Sequence, residues 1–179
     1  MDEISLTRLW LMRVGFAALI LGILFFQLLP LETTPRRLAG PDLVLGFAFA
    51  WALRRPEYAP LGLVAALLLT ADLLLGRPPG LYAALALLAF DSLRARAAGM
   101  RGMPFTVEWA TVGLAITAVL LGHRLVLAVL LVDLPPLGLQ LIQLLATLLA
   151  YPLVAAVTRF VFGLRAPWLG EVNALGQRQ

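Results

Sequence analysis

The chain has no cysteine and no lysine, one histidine and few charges of either sign. Without cysteine there is no disulfide, no thiolate nucleophile and no sulfur-based metal or iron–sulfur site. A single histidine, His123, excludes a histidine-clustered metal centre within one chain. Charged residues make up 13% of the 179 residues, against about 25% in a soluble domain, and hydrophobic residues reach 61%, against about 45–50%. An apolar excess of this size, with a mean hydropathy of +0.93, cannot be buried in one small core. The composition therefore predicts an integral membrane protein.

Six helical spans of roughly 20 residues use about 120 residues and leave only short loops and tails. That leaves no room for a soluble catalytic domain, a nucleotide-binding fold or a folded periplasmic domain. All 14 basic residues are arginine, which reads as codon bias in a GC-rich genome. The net charge of +4 does not argue for nucleic acid, because the arginines fall in short loops between apolar runs, where topology signals belong.

Apolar runs bounded by proline, glycine and arginine predict an all-α membrane fold with spans at 9–31, 41–53, 60–76, 80–93, 107–121 and 137–164. The first run is too long for a signal-peptide core and is expected to be retained. The apolar stretch from 107 to 134 exceeds one span, and Gly122-His123-Arg124 interrupts it, so a separate surface or re-entrant segment is expected at 122–134. Pro152 predicts a kink in the sixth span, and 165–179 reads as a short tail. With the N-terminus inside, ten arginines lie on the cytoplasmic side and three outside, leaving Arg124 uncounted, so both termini are expected to be cytoplasmic. Small residues four apart, such as Gly46/Ala50 and Gly113/Thr117, predict a tight bundle.

A few polar residues stand out. Asp42 follows Gly40-Pro41 and is placed to cap the second helix and meet its positive dipole end. Trp51, Arg54, Arg55, Pro56 and Tyr58 read as an interfacial anchor, with aromatic rings at headgroup level and arginines toward phosphates; partner docking is the sharper alternative. Gln140 and Gln143 share a helix face and read as interhelical hydrogen bonders. Asp72 lies well inside a span, where an unpaired carboxylate costs a few kcal/mol. Asp72 and Arg124 both count to the outer half of the bilayer, so they are expected to pair across helices; Arg77, at i+5, is rotated away from Asp72.

No catalytic constellation emerges. The two serines, Ser5 and Ser92, lie toward the opposite face from His123, no second mid-membrane carboxylate joins Asp72, and no glycine-rich phosphate loop precedes a helix. No enzyme activity, cofactor site or metal site is expected. A transporter with broken helices and inverted repeats is not legible either.

Four motifs carry a family resemblance: Gly40-Pro41-Asp42-Leu43, the run Ala50–Pro60 with Trp51-Ala-Leu-Arg54-Arg55-Pro56-Glu-Tyr58 inside it, Asp72-Leu-Leu, and Arg77-Pro78-Pro79-Gly80-Leu81. Asp91-Ser-Leu-Arg94 is similar to an acidic-x-x-Arg end of span four, where the family more often has Glu. Together these resemble the MreD family of rod-shape-determining proteins in its alphaproteobacterial form. The likeness covers about residues 40–96; outside that range only hydropathy and length agree. The resemblance implies a non-enzymatic scaffold of the cell-elongation complex in the bacterial inner membrane. Its expected partners are a bitopic MreC-like protein, the RodA glycosyltransferase, a penicillin-binding transpeptidase, MreB filaments reached directly or indirectly, and membrane lipids. It also implies a helical arrangement similar to the substrate-binding subunits of energy-coupling vitamin transporters, and a subunit of that kind is the alternative function. The residues expected at a partner or structural interface are Asp42, Trp51, Arg54, Arg55, Pro56, Tyr58, Asp72, Arg77, Pro78, Pro79, Gly80 and Arg124.

The arginine asymmetry generates a topology test. Reporter fusions after Gly102 and Gln179 should read cytoplasmic, and one after Ala39 periplasmic; a periplasmic signal at Gln179 would mean an odd number of spans.

Overall fold

The computed structural model of the chain describes residues 6–29, 39–100, 102–132, 134 and 136–162. The tail 165–179, the loop at 30–38 with Arg36 and Arg37, and Arg101 lie outside the described residues. Among the described residues the fold is all-helical, with α1 at Leu6–Leu28, α2 at Leu43–Arg54, α3 at Leu61–Leu74, α4 at Leu81–Arg96, α5 at Phe105–Val129 and α6 at Leu137–Phe160; a single 3-10 turn, Pro56–Tyr58, follows α2. Three of these, α1, α5 and α6, are long and apolar enough to cross a membrane. The other three have 12, 14 and 16 residues. At 1.5 Å per residue that is roughly 18 to 24 Å, short of the ~30 Å of a bilayer's hydrocarbon.

Local chemistry sets most of the helix ends. The Asp42 carboxylate accepts the Leu45 N–H at 3.0 Å and starts α2, as its position after Gly40-Pro41 predicts. Pro56 ends α2, because the residue before a proline is driven out of helical backbone; Arg55 sits at φ −150°, ψ 73°. At the end of α3, Gly76 adopts φ 65° and the Arg77 N–H returns to the Asp72 carbonyl at 3.0 Å, a Schellman turn that favours glycine.

Helix α2 is the core. Nearly all of its residues are buried, and it packs against α1, α4, α5 and α6. Its sequence alternates bulky and small side chains, Leu45-Gly46-Phe47-Ala48-Phe49-Ala50-Trp51-Ala52-Leu53. A helix that is apolar all round is a buried helix, and the small residues let its neighbours come close. A Cβ on Gly46 would lie 3.6 Å from Val154 of α6, and one on Gly113 would lie 3.0 Å from Leu148, so α5 and α6 meet there as tightly as glycine allows. Gly22 and Gly62 have nothing within 4 Å, so their small-residue pairs make no such approach.

The outer faces are apolar. On α1 the exposed positions Leu11, Val14, Leu21, Phe25 and Leu28 follow helical spacing, and so do Leu141, Leu145, Leu149 and Leu153 on α6. These stripes suit lipid or partner helices, and water is a poor solvent for them.

One expectation about the helices changes. The break foreseen at Gly122-His123-Arg124 is absent; α5 is one helix of 25 residues. Each of the three residues finds a tertiary partner instead. A Cβ on Gly122 would lie 3.7 Å from Leu85, the His123 ring meets Tyr82 edge-on at 5.3 Å, and Arg124 donates to Gln140 at 2.9 Å. The helix closes only at Leu131, a non-glycine residue held at φ 56°. Pro152 does lie inside α6, and its missing N–H frees the Leu148 carbonyl. The Trp109 indole of α5 takes that carbonyl at 2.9 Å.

Trp109→Phe should therefore leave the Leu148 carbonyl, at the outer surface of the bundle, without its donor and cost about 0.5–1.5 kcal/mol. In a Pro152→Ala background, where the restored N–H takes the same carbonyl, the cost should fall by more than half in denaturant-titrated unfolding. Equal losses in both backgrounds would remove the link.

Candidate functional site

The polar side chains gather at the two ends of α2. At its start, the Tyr82 hydroxyl of α4 donates to Asp42 Oδ2 at 2.6 Å, and the Asp42 N–H donates to Thr147 Oγ1 of α6 at 2.9 Å. The Arg77 guanidinium approaches Asp42 Oδ2 at 3.9 Å and stacks on the Tyr82 ring at 4.3 Å. One carboxylate thus joins α2, α4 and the α3–α4 turn while capping its own helix, and the backbone N–H of the same residue ties in α6. Bonds of this kind in an apolar setting are expensive to break, because the stranded partner stays buried.

Asp72 is fully buried close by. Its Oδ2 accepts the N–H groups of Gly80 at 3.1 Å and Ala83 at 3.0 Å, so it caps α4 from α3. This corrects the expected ion pair with Arg124, which bonds Gln140 of α6 instead. The reason is the turn at 75–80, which doubles the chain back and lays the positive end of α4 onto the carboxylate. Heights counted along separate helices do not show such a fold-back. Gly80, at φ 85°, gives the turn its left-handed step, while Pro78 and Pro79 are exposed and shape the turn without joining the polar cluster. Gln140 accepts from Arg124 and donates to the Leu120 carbonyl at 3.0 Å, an interhelical role as foreseen.

At the other end of α2, Arg54 is buried. It donates to the Ala155 carbonyl of α6 and to Glu108 of α5, both at 2.8 Å, and the Tyr151 hydroxyl donates to the same Glu108 oxygen at 2.8 Å. This corrects the phosphate-anchor reading of Arg54. Trp51 is not an interfacial ring either. It is 0% exposed, with Phe16 at 4.9 Å and Phe162 at 5.1 Å. The last turn of a central helix is still encircled by its neighbours, and hydropathy cannot distinguish lipid-facing from protein-facing positions. Tyr58 is buried too; only Arg55 and Pro56 of that motif are partly open, with Arg55 reaching Glu57 at 3.4 Å. The Glu57 backbone carbonyl in turn accepts from Arg13 of α1 at 3.4 Å.

Glu108, Tyr82 and Tyr151 were not singled out by the sequence reading. Glu108 carried a usable signal, because an acid in the first turn of an apolar helix requires a partner or water. The tyrosines carried none beyond a hydroxyl in an apolar run.

Beside the Asp42 cluster lie two hollows of about 360 and 290 Å³. Arg77, Ala39, Leu139 and Gln143 line both; Asp42 and Gln27 line the larger, and Tyr82, His123 and Gln140 the smaller. The four shared residues, Arg77 among them, make the two hollows neighbouring parts of one crevice. Among the described residues no group of three His, Cys, Asp or Glu side chains is arranged to hold a metal ion. No protein-family profile, curated protein or solved structure matches the chain.

Arg54→Leu or Glu108→Leu alone should cost about 3–5 kcal/mol by stranding the other charge, and the double change should recover part of the loss. Glu108→Gln, which still accepts from Arg54, should lose less. Asp72→Leu and Arg124→Leu should combine additively, within about 0.5 kcal/mol, because the two residues belong to different clusters.

Proposed function

We propose that the chain is a non-enzymatic membrane scaffold of the MreD type. In this reading it lies in the bacterial inner membrane with six spans and both termini cytoplasmic. It binds an MreC-like bitopic protein and helps couple MreB filaments to RodA and a penicillin-binding transpeptidase in cell-shape control. The observation that supports this best is the use of the motif residues. Asp42, Arg54 and Asp72 come from the segment that carries the MreD resemblance, and all three are taken up in tying helices together. A bundle locked in this way acts through its outer helix faces and short loops. The short helices α2 and α4 reach interfacial depth through the polar caps and arginines at their ends, with local thinning of the bilayer.

Within the Arg54–Pro60 motif, the docking role then falls on Arg55, which stays partly exposed beside Glu57, because Arg54 is committed to the core. The second reading, a substrate-binding subunit of a small-molecule transporter, is favoured by one feature, the crevice beside Arg77.

Affinity purification from native membranes separates the two readings. A scaffold copurifies with a bitopic MreC-like protein, and a transporter subunit with an ATPase module. Arg55→Gln should reduce MreC-like partner recovery severalfold at unchanged abundance, whereas Arg54→Gln should lower abundance itself. Recovery of an ATPase module without the bitopic partner would overturn the scaffold.

A further inference from the structure

We propose that the crevice lined by Arg77 binds a phosphate oxyanion carried on an amphipathic molecule. The inference rests on the crevice alone and stands or falls independently of the scaffold reading. Arg77 is its centre. The side chain is 25% exposed and lines both hollows. Its guanidinium engages Tyr82, which leaves most of its N–H groups over. Its nearest carboxylate oxygen, on Asp42, is 3.9 Å away, beyond hydrogen-bonding distance. A guanidinium has five N–H donors in a planar fork that matches phosphate and carboxylate oxygens in pairs.

The surroundings prepare this donor set in advance. Stacking on Tyr82 fixes the guanidinium, and Asp42 fixes the tyrosine hydroxyl from behind. Asp42 is the one group in the larger hollow that repels an anion. Both its oxygens are occupied, by the Leu45 N–H and the Tyr82 hydroxyl, and the positive end of α2 offsets its charge. The carboxylate therefore holds Arg77 in place without filling its hydrogen-bonding capacity.

Two more polar groups face the same space. The Gln143 amide makes no side-chain hydrogen bond among the described residues and lines both hollows. His123 Nε2 is buried without a hydrogen-bond partner on the wall of the smaller one. The remaining walls are apolar, with Leu75 and Leu139 around the larger hollow and Leu120 and Leu127 around the smaller. Charge-assisted donors in the middle and leucines on either side suit a phosphate joined to an alkyl or acyl portion.

The test uses the purified full chain in a phospholipid-free detergent and phosphate-free buffer. The two probes are short-chain phosphatidylglycerol and inorganic phosphate, read by calorimetry and by native mass spectrometry. The wild type should bind the lipid saturably. Arg77→Gln should weaken binding by about tenfold or more, the loss expected for one charge-assisted hydrogen bond. Gln143→Leu breaks no bond within the bundle and should still weaken it severalfold, which keeps the test valid if the Arg77 variant does not fold. Arg96→Gln, on a separate groove between α4 and α5, should leave binding unchanged. Saturable binding of inorganic phosphate with the same dependence on Arg77 and Gln143 would keep the oxyanion site but remove the amphipathic carrier. Saturable binding of neither probe, or lipid binding unaltered by Gln143→Leu, would overturn the proposal.

Discussion

The central constraint is that α2 is surrounded by protein on every side and yet carries a charge at each end. Asp42 and Arg54 are 5% and 8% exposed, so neither can be left to solvent. In a low-dielectric interior an uncompensated charge costs several kcal/mol, and the chain meets that cost by bringing other helices to each charge. Tyr82 and Arg77 come to the Asp42 carboxylate, while Thr147 takes its backbone N–H; Glu108 and the Ala155 carbonyl come to Arg54. The requirement to neutralise α2 thus sets where α4, α5 and α6 are fastened. The apolar middle of α2 supplies contact area but few directional constraints, since lipid tails solvate leucine about as well as another helix does.

The acids share a further pattern. Asp42 caps α2, Asp72 accepts N–H groups at the start of α4, and Glu108 sits in the first turn of α5. Each carboxylate meets the positive end of a helix dipole, where the first backbone N–H groups have no partner within the helix. The acid needs donors and the helix start needs acceptors, and each supplies the other, although Asp72 Oδ1 stays buried without a hydrogen-bond partner. Arg77 falls outside this economy. It is positioned by stacking and a long ion pair, and its hydrogen-bonding capacity remains directed into the crevice.

Much of the fold was legible because composition and proline and glycine placement act locally. Six apolar segments, their approximate ends and the Asp42 cap follow from residues within one or two turns of each other. The polar site was legible only as a set of unusual residues. Asp72 was recognisable as costly, but its partners are the backbone N–H groups of Gly80 and Ala83, and a main-chain donor has no sequence signature. Trp51 and Arg54 were misplaced because an interfacial anchor and a buried helix end share the same composition. Gly122-His123-Arg124 looked like a break because each residue disfavours a membrane helix alone; packing on Leu85, Tyr82 and Gln140 outweighs that preference.

The sequence by itself determined that the chain is helical, strongly apolar and punctuated by proline and glycine, because those properties depend on side-chain solvation and on backbone restrictions within a single turn. Only the tertiary structure decided which apolar helix is wrapped by protein, which acid meets which donor and that Arg77 faces a crevice. Those outcomes depend on distances between residues well separated in sequence, up to 40 positions for Asp42 with Tyr82 and 105 for Asp42 with Thr147. Hydropathy treats a leucine against lipid and a leucine against another helix alike, so the choice between them is made only when the helices pack.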